Sequence, residues 1–177
     1  MIPRLPSDLL EIVEGESIVW AGKPFLKPFI AKRLPGMVAP LLFMLIPLSL
    51  PISIYEIMAS AGLFAVLFFI FWYGVLSLAL VSATLYPLFV WRNLYYVLTD
   101  KRIVVRKGVI GIDYDFLKLE LVQQVNVNIG IWDKIYGSGT VVIQAVGVSP
   151  LVLENVGEPL EVRRLIENLV SRIKLKS

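Results

Sequence analysis

Two stretches of the chain, Leu34–Ile54 and Ile57–Trp91, hold no charged side chain, and only Tyr55 and Glu56 separate them. A helix needs about 20 apolar residues to cross a hydrocarbon core of roughly 30 Å, and both stretches reach that length. The pattern predicts a transmembrane helical hairpin over 34–91, a lead-in over 1–33 and a soluble domain over 92–177. Pro35, Pro40, Pro47 and Pro51 interrupt the first span, and each interior proline removes a backbone hydrogen bond. That span reads either as a kinked crossing packed on the second or as a re-entrant or partner-covered segment. In the second, Gly62, Ala65, Gly74, Ser77, Ala79, Ser82 and Ala83 offer small faces for close helix contact.

After Arg92 the pattern turns from continuous apolar to alternating, the signature of strands. Six are predicted: Tyr95–Thr99, Arg102–Lys107, Ile110–Lys118, a run through Val125, Val127 and Ile129, Thr140–Val146 and Leu151–Asn155. Ile103 and Val105 point one way and Arg102 and Arg106 the other. A two-residue turn at Gly108-Val109 would set Lys107 opposite Ile110, with Ile112, Tyr114 and Phe116 on the apolar face. That register places Arg102 opposite Asp115 and Arg106 diagonal to Asp113. These four residues form either a cross-strand charge ladder or a lipid headgroup site. Ile131, Trp132, Ile135 and Tyr136 form the apolar face of a helical turn. From Pro159, the spacing of Val162, Leu165, Ile166, Leu169 and Ile173 predicts an amphipathic helix packed on the strands. The soluble part is thus a small β-rich α+β unit, with antiparallel sheets or an open barrel closed by a C-terminal helix. It is expected to fold by itself from about Asn93.

Composition narrows the chemistry. The chain has no cysteine and no histidine, so thiol catalysis, disulfides and the commonest general base and zinc ligand are excluded. No catalytic, metal-binding or cofactor-binding residue is assigned. Gly137-Ser138-Gly139-Thr140 lacks the lysine of a phosphate loop, and neither uncharged stretch carries an ionisable relay. A net charge of +3 gives no reason to expect nucleic acid.

Charge does set an orientation. Lys23, Lys27, Lys32 and Arg33 precede the first span and Arg92, Lys101 and Arg102 follow the second, whereas the connection over 55–62 holds Glu56 and no cation. Basic flanks stay on the cytoplasmic side, so a multi-pass protein of the cell membrane with both termini cytoplasmic is expected. The acidic start (Asp8, Glu11, Glu14, Glu16) is unlike a cleavable signal, and the first span would direct its own insertion. Lys23, Lys27, Lys32, Arg33 and Arg92 are candidate contacts to anionic headgroups, at about 1 kcal/mol each. Tyr86, Trp91, Tyr95 and Tyr96 fit an interfacial aromatic belt.

The order Tyr96-Val97-Leu98-Thr99-Asp100-Lys101-Arg102 resembles the Y-x-L-T-x-x-R opening of prokaryotic membrane-anchored pleckstrin-homology-like domains. Leu121-Val122-Gln123-Gln124-Val125 is similar to that family's I-x-x-V strand, and Tyr136-Gly137-Ser138-Gly139-Thr140-Val141 to its G-x-G-T turn. Glu16 to Pro24 resembles the G-E-x-x-x-W-x-G-x-P lead-in before the first span. The resemblance implies seven strands in two sheets and a binding or assembly module, not an enzyme. Its partner would be a protein, another copy of the chain or an anionic lipid, or the chain would serve as accessory subunit of a larger membrane transport complex.

Overall fold

The computed structural model describes residues 4–49 and 51–175; Leu50 of the first predicted span and the last two residues of the predicted domain lie outside the described residues. The chain divides into two compact units, residues 32–88 and a discontinuous unit built from the chain on either side of them.

In the discontinuous unit, seven strands form two antiparallel sheets among the described residues. The first sheet has the order β1 (Ile18–Gly22), β2 (Tyr95–Thr99), β3 (Arg102–Lys107), β4 (Asp113–Lys118). The second has the order β5 (Val122–Asn128), β6 (Ser138–Ala145), β7 (Val148–Gly157). The seventh strand is one more than the six expected. It comes from the lead-in, which pairs with β2 through Trp20–Leu98, Ala21–Val97 and Gly22–Tyr96. The lead-in is therefore part of the domain, and the predicted boundary at residue 92 is corrected accordingly. Ile18, Val19 and Trp20 have side chains that suit a pleated surface, and Gly22 leaves room for the Trp20 indole that lies over it.

Two apolar layers hold the unit. Tyr96, Leu98, Ile103, Leu117, Ile143, Leu153 and Ile166 belong to a core between the sheets, closed by helix α7 (Pro159–Lys174). The C-terminal stripe packs as its spacing predicts, with Val162 and Ile166 fully buried. Tyr96 crosses this core: its hydroxyl donates to the Glu154 carbonyl (3.2 Å) and accepts from the Glu154 N–H (2.9 Å). The other face of the first sheet is covered too. Helix α1 (Ser7–Ile12) brings Leu9 and Val13 onto Ala21, Val97 and Val104. Val97 and Val104 are consequently as buried as their neighbours; in β3, Ile103 and Val105 face the inner core and Arg102 and Arg106 the other side, as expected, but that other side is covered as well.

The register of β3 and β4 also differs from the expected one. Lys107 faces Asp113, Arg106 faces Tyr114, Val104 faces Phe116 and Ile103 faces Leu117, because a five-residue loop, 108–112, replaces the two-residue turn. An odd shift exchanges the faces of a strand. Tyr114 thus joins the α1 layer, Leu117 takes the inner-core place, and Ile110 stands fully exposed.

In residues 32–88, the first uncharged stretch forms α3 (Leu34–Leu45), a 3₁₀ turn (Pro47–Ser49) and α4 (Ile52–Ser60). The break falls at Pro47 and Pro51, as the loss of backbone donors dictates. The connection expected over 55–62 is mostly helical, and the turn lies at Ala61–Gly62. Helix α5 (Leu63–Asn93) follows; among the described residues it is the one helix long and apolar enough to cross a membrane, and none of its most apolar window is buried. Gly74 has open space around it. The last residues of α5, Phe89–Asn93, belong to the folded unit.

A chain in which residues 4–31 are joined to 89–175 by a Gly/Ser linker is expected to fold in water, with mixed β/helix circular dichroism and one cooperative unfolding transition. A fragment starting at Asn93 is expected to aggregate or stay unfolded, since it bares Val97, Val104 and the β2 edge. Cooperative unfolding of the shorter fragment would show that α1 and β1 are dispensable.

Candidate functional site

The odd register shift carries Arg102 and Arg106 away from the aspartates expected to pair with them. Both side chains point to the α1 face, where the acidic start of the chain meets them. Arg106, only 7% exposed, binds Asp8 (2.7 Å) and donates to the Asn93 carbonyl (3.1 Å). Arg102 binds Glu16 (3.0 Å), donates to the Ile12 carbonyl (2.9 Å) and lies over the Phe116 ring. Asp115 pairs with Lys107, and Asp113 is exposed across from it. The expected Arg–Asp ladder is replaced by pairs with Glu16 and Asp8, and both arginines fasten the N-terminal segment to the sheet.

Asp8 is the centre of this fastening, because Tyr114 also donates its hydroxyl to the same carboxylate oxygen. Burial pushes the Asp8 carboxyl up, but the hydrogen bonds from Tyr114 and Arg106 outweigh it and hold the group below its usual range. Burial and the Asp8 carboxylate push the Tyr114 phenol up. Burial pulls the Arg106 guanidinium down, and Asp8 and Tyr114 more than restore it.

A second constellation surrounds the end of α5. Helix α2 (Leu26–Ala31) and the β1 end line a cavity of about 760 Å³ together with Trp91, Tyr136 and Gly157. The Trp91 indole N–H donates to the Pro24 carbonyl (2.6 Å). Lys23 lies over the Trp91 and Tyr95 rings and donates to the Arg92 carbonyl (3.1 Å). Of the five cations assigned to the membrane surface, Lys23 is thus held internally by π-faces and a carbonyl. Lys27 lines the same cavity and is exposed, as is Arg92, whereas Lys32 and Arg33 belong to the other unit. The expected aromatic belt is likewise only partial: Tyr96 is a core residue, and Trp91 and Tyr95 are engaged with the lead-in.

Helix α6 (Ile131–Tyr136) turns its expected apolar face outward, with Ile131 80% and Ile135 63% exposed. Its inner side is fixed by Asp133, buried and accepting from the Gly130 N–H (3.0 Å) and the Ser138 hydroxyl (2.9 Å). Gly137 ends the helix at φ 64°, a conformation natural to glycine. The G-S-G-T sequence is therefore a helix stop and an anchor point. The Asp8–Arg106–Tyr114 cluster and the outward turn of α6 are what the sequence concealed. The acidic N-terminal residues were a signal for the first; their partners lie about ninety residues away.

The family model described as "Bacterial PH domain" matches residues 35–170. A solved structure, a duf1696 family protein with a pleckstrin-homology domain from Shewanella loihica PV-4, is 19% identical over 44% of this chain and 70% of its own, with a TM-score of 0.36. No curated protein matches the chain.

Replacing Asp8 by Asn is expected to lower stability by about 1–3 kcal/mol, the range for stripping a charged partner from a buried guanidinium. As pH falls, the unfolded chain protonates Asp8 first, so this contribution is full above about pH 4 and lost as pH drops through the lowered native value. Chemical unfolding of wild type and Asp8→Asn across pH 2–7 should show the two curves converging in acid. Parallel curves throughout would mean that Asp8 carries no net stabilising charge.

Proposed function

We propose, on the premise that this chain belongs to the bacterial PH domain family, that it is an integral membrane protein holding a PH-like domain at the cytoplasmic face of the cell membrane. There the domain works as a non-catalytic binding and assembly module. The observation that carries this reading is the pairing of β1 with β2 across residues 32–88. Both ends of the apolar segment belong to one folded unit, so the chain must leave and re-enter that unit on the same side of any bilayer. The number of crossings is even. Helix α5 has 31 residues, and at about 1.5 Å per residue it exceeds a hydrocarbon core of roughly 30 Å. With α5 as one crossing, α3 and α4 together supply the other as a broken span. Broken backbone at membrane depth needs cover from protein, which a neighbouring helix of this chain or of a partner provides. The cationic flanks (Lys23, Lys27, Lys32, Arg33, Arg92), with no Lys or Arg near the Ala61–Gly62 turn, support a cytoplasmic domain.

The preferred ligand is a protein, another copy or a membrane partner. The apolar window of α5 is unburied within the chain, leaving its surface for lipid or for a second protein. Anionic lipid is the second reading, supported by the exposed Lys27 and Arg92 and weakened by the internal pairing of Arg102, Arg106 and Lys23.

Single cysteines at Ser60 and Ser149 are expected to react with impermeant maleimide from opposite sides of sealed vesicles. Reaction from one side would remove the hairpin. In native-lipid nanodiscs, mass spectrometry of the intact particle is expected to show several copies or a stoichiometric protein partner. A lone chain with only lipids would contradict the assembly reading.

A further inference from the structure

Two separate parts of the folded unit, the lead-in and the 108–112 loop, grip the last turn of α5. Pro24 accepts from Trp91, Lys23 donates to Arg92, and the Asn93 amide donates to the carbonyls of Gly108 and Val109, each at 3.3 Å. Two of the elements placed here carry apolar side chains that the unit does not cover. The 108–112 loop, held by Asn93, presents Ile110 wholly to its surroundings. Helix α6, whose Tyr136 lines the same cavity as Trp91, presents Ile131 and Ile135. The outward face of α6 does not result from loose packing, since the buried Asp133 pins the opposite side.

These residues share a location with the chain's exits toward 32–88. Pro28 and Trp91 both line the cavity, and the chain leaves the unit at Ala31 and re-enters it at Phe89. Exposed cations lie in the same neighbourhood: Lys27, Arg92 and Lys134. Isoleucines with aromatic rings and lysines, gathered at the root of an apolar helix, have the chemistry of a surface that enters the boundary between headgroups and acyl chains of an anionic leaflet.

We propose that the 108–112 loop and helix α6 dip into the leaflet from which α5 emerges, so that the domain lies on an anionic bilayer through Ile110, Ile131 and Ile135. This rests on the reading that α5 crosses the bilayer, and it replaces a purely electrostatic contact by apolar insertion at two points.

The test uses the full, cysteine-free chain in nanodiscs of phosphatidylcholine and phosphatidylglycerol. An environment-sensitive fluorophore is placed on single cysteines at Ile110, Ile135, Leu78 within α5, and Ser149 at the far end of β6 from α6. Nitroxide lipids labelled near the headgroup should quench Ile110 and Ile135, and those labelled deep in the chain should quench Leu78. Ser149 should be quenched by aqueous iodide alone. If Leu78 is quenched by lipid while Ile110 or Ile135 behaves like Ser149, the insertion is overturned and the crossing stands. Leu78 untouched by lipid nitroxide would overturn the crossing, and insertion as stated with it. Protection of Ile110 and Ile135 from iodide without lipid quenching would assign these side chains to a protein neighbour and likewise overturn the inference.

Discussion

Strand β2 takes hydrogen bonds from two strands of very different origin. On one side is β3, reached through a tight turn; on the other is β1, which lies before the entire apolar segment 32–88. The covering of the first sheet follows from that second pairing. It completes the first sheet, carries α1 onto the outer face of that sheet, and closes Glu16 and Asp8 over Arg102 and Arg106. It also makes the apolar segment an insertion into a domain, with entrance and exit fixed on one body. Pairing over so large a sequence separation has a slow, entropically costly closure. A bilayer-inserted hairpin would shorten that search by holding its two ends together.

The ion pairs are seals on this closure. With the segment in place, a buried Arg106 would lack its counter-charge without Asp8, and detaching the segment would expose Val97 and Val104. Apolar burial sets the magnitude of the attachment, since Leu9 and Val13 are covered almost completely and each buried aliphatic side chain is worth roughly 1.5–3 kcal/mol. The charges determine which way α1 lies.

Much of this was legible in the residues. The two uncharged stretches, the alternation beginning at Tyr95, and the C-terminal stripe from Val162 to Ile173 each follow a local period, and local periods survive folding. What the sequence concealed was non-local. Ile18–Gly22 is too short, with glycine at its end, to announce itself as a strand, and its partner lies beyond the apolar segment. The β3–β4 register hinged on whether Gly108-Val109 forms the turn or begins a longer loop, and an error of three residues exchanged the faces of β4, taking its aspartates away from both arginines. The prolines near 47–51 announced a break but not whether the segment crosses. The crossing proposed above rests instead on where both of its ends are anchored. The exposure of α6 was hidden for another reason: its apolar spacing is the same whether it faces a core or a membrane.

The most direct measurement is a cross-link within the β1–β2 pair in the membrane itself. Ala21 and Val97 are partners in the ladder, at a separation compatible with a disulfide, and the chain has no other cysteine. Cysteines at both positions, with a protease site inserted at the Ala61–Gly62 turn, are oxidised in native membrane vesicles and the turn is then cut. Two fragments of one chain that stay joined until reductant is added are the predicted result. Fragments that separate without reductant, or that link only between different chains, would contradict a domain closed across the apolar segment.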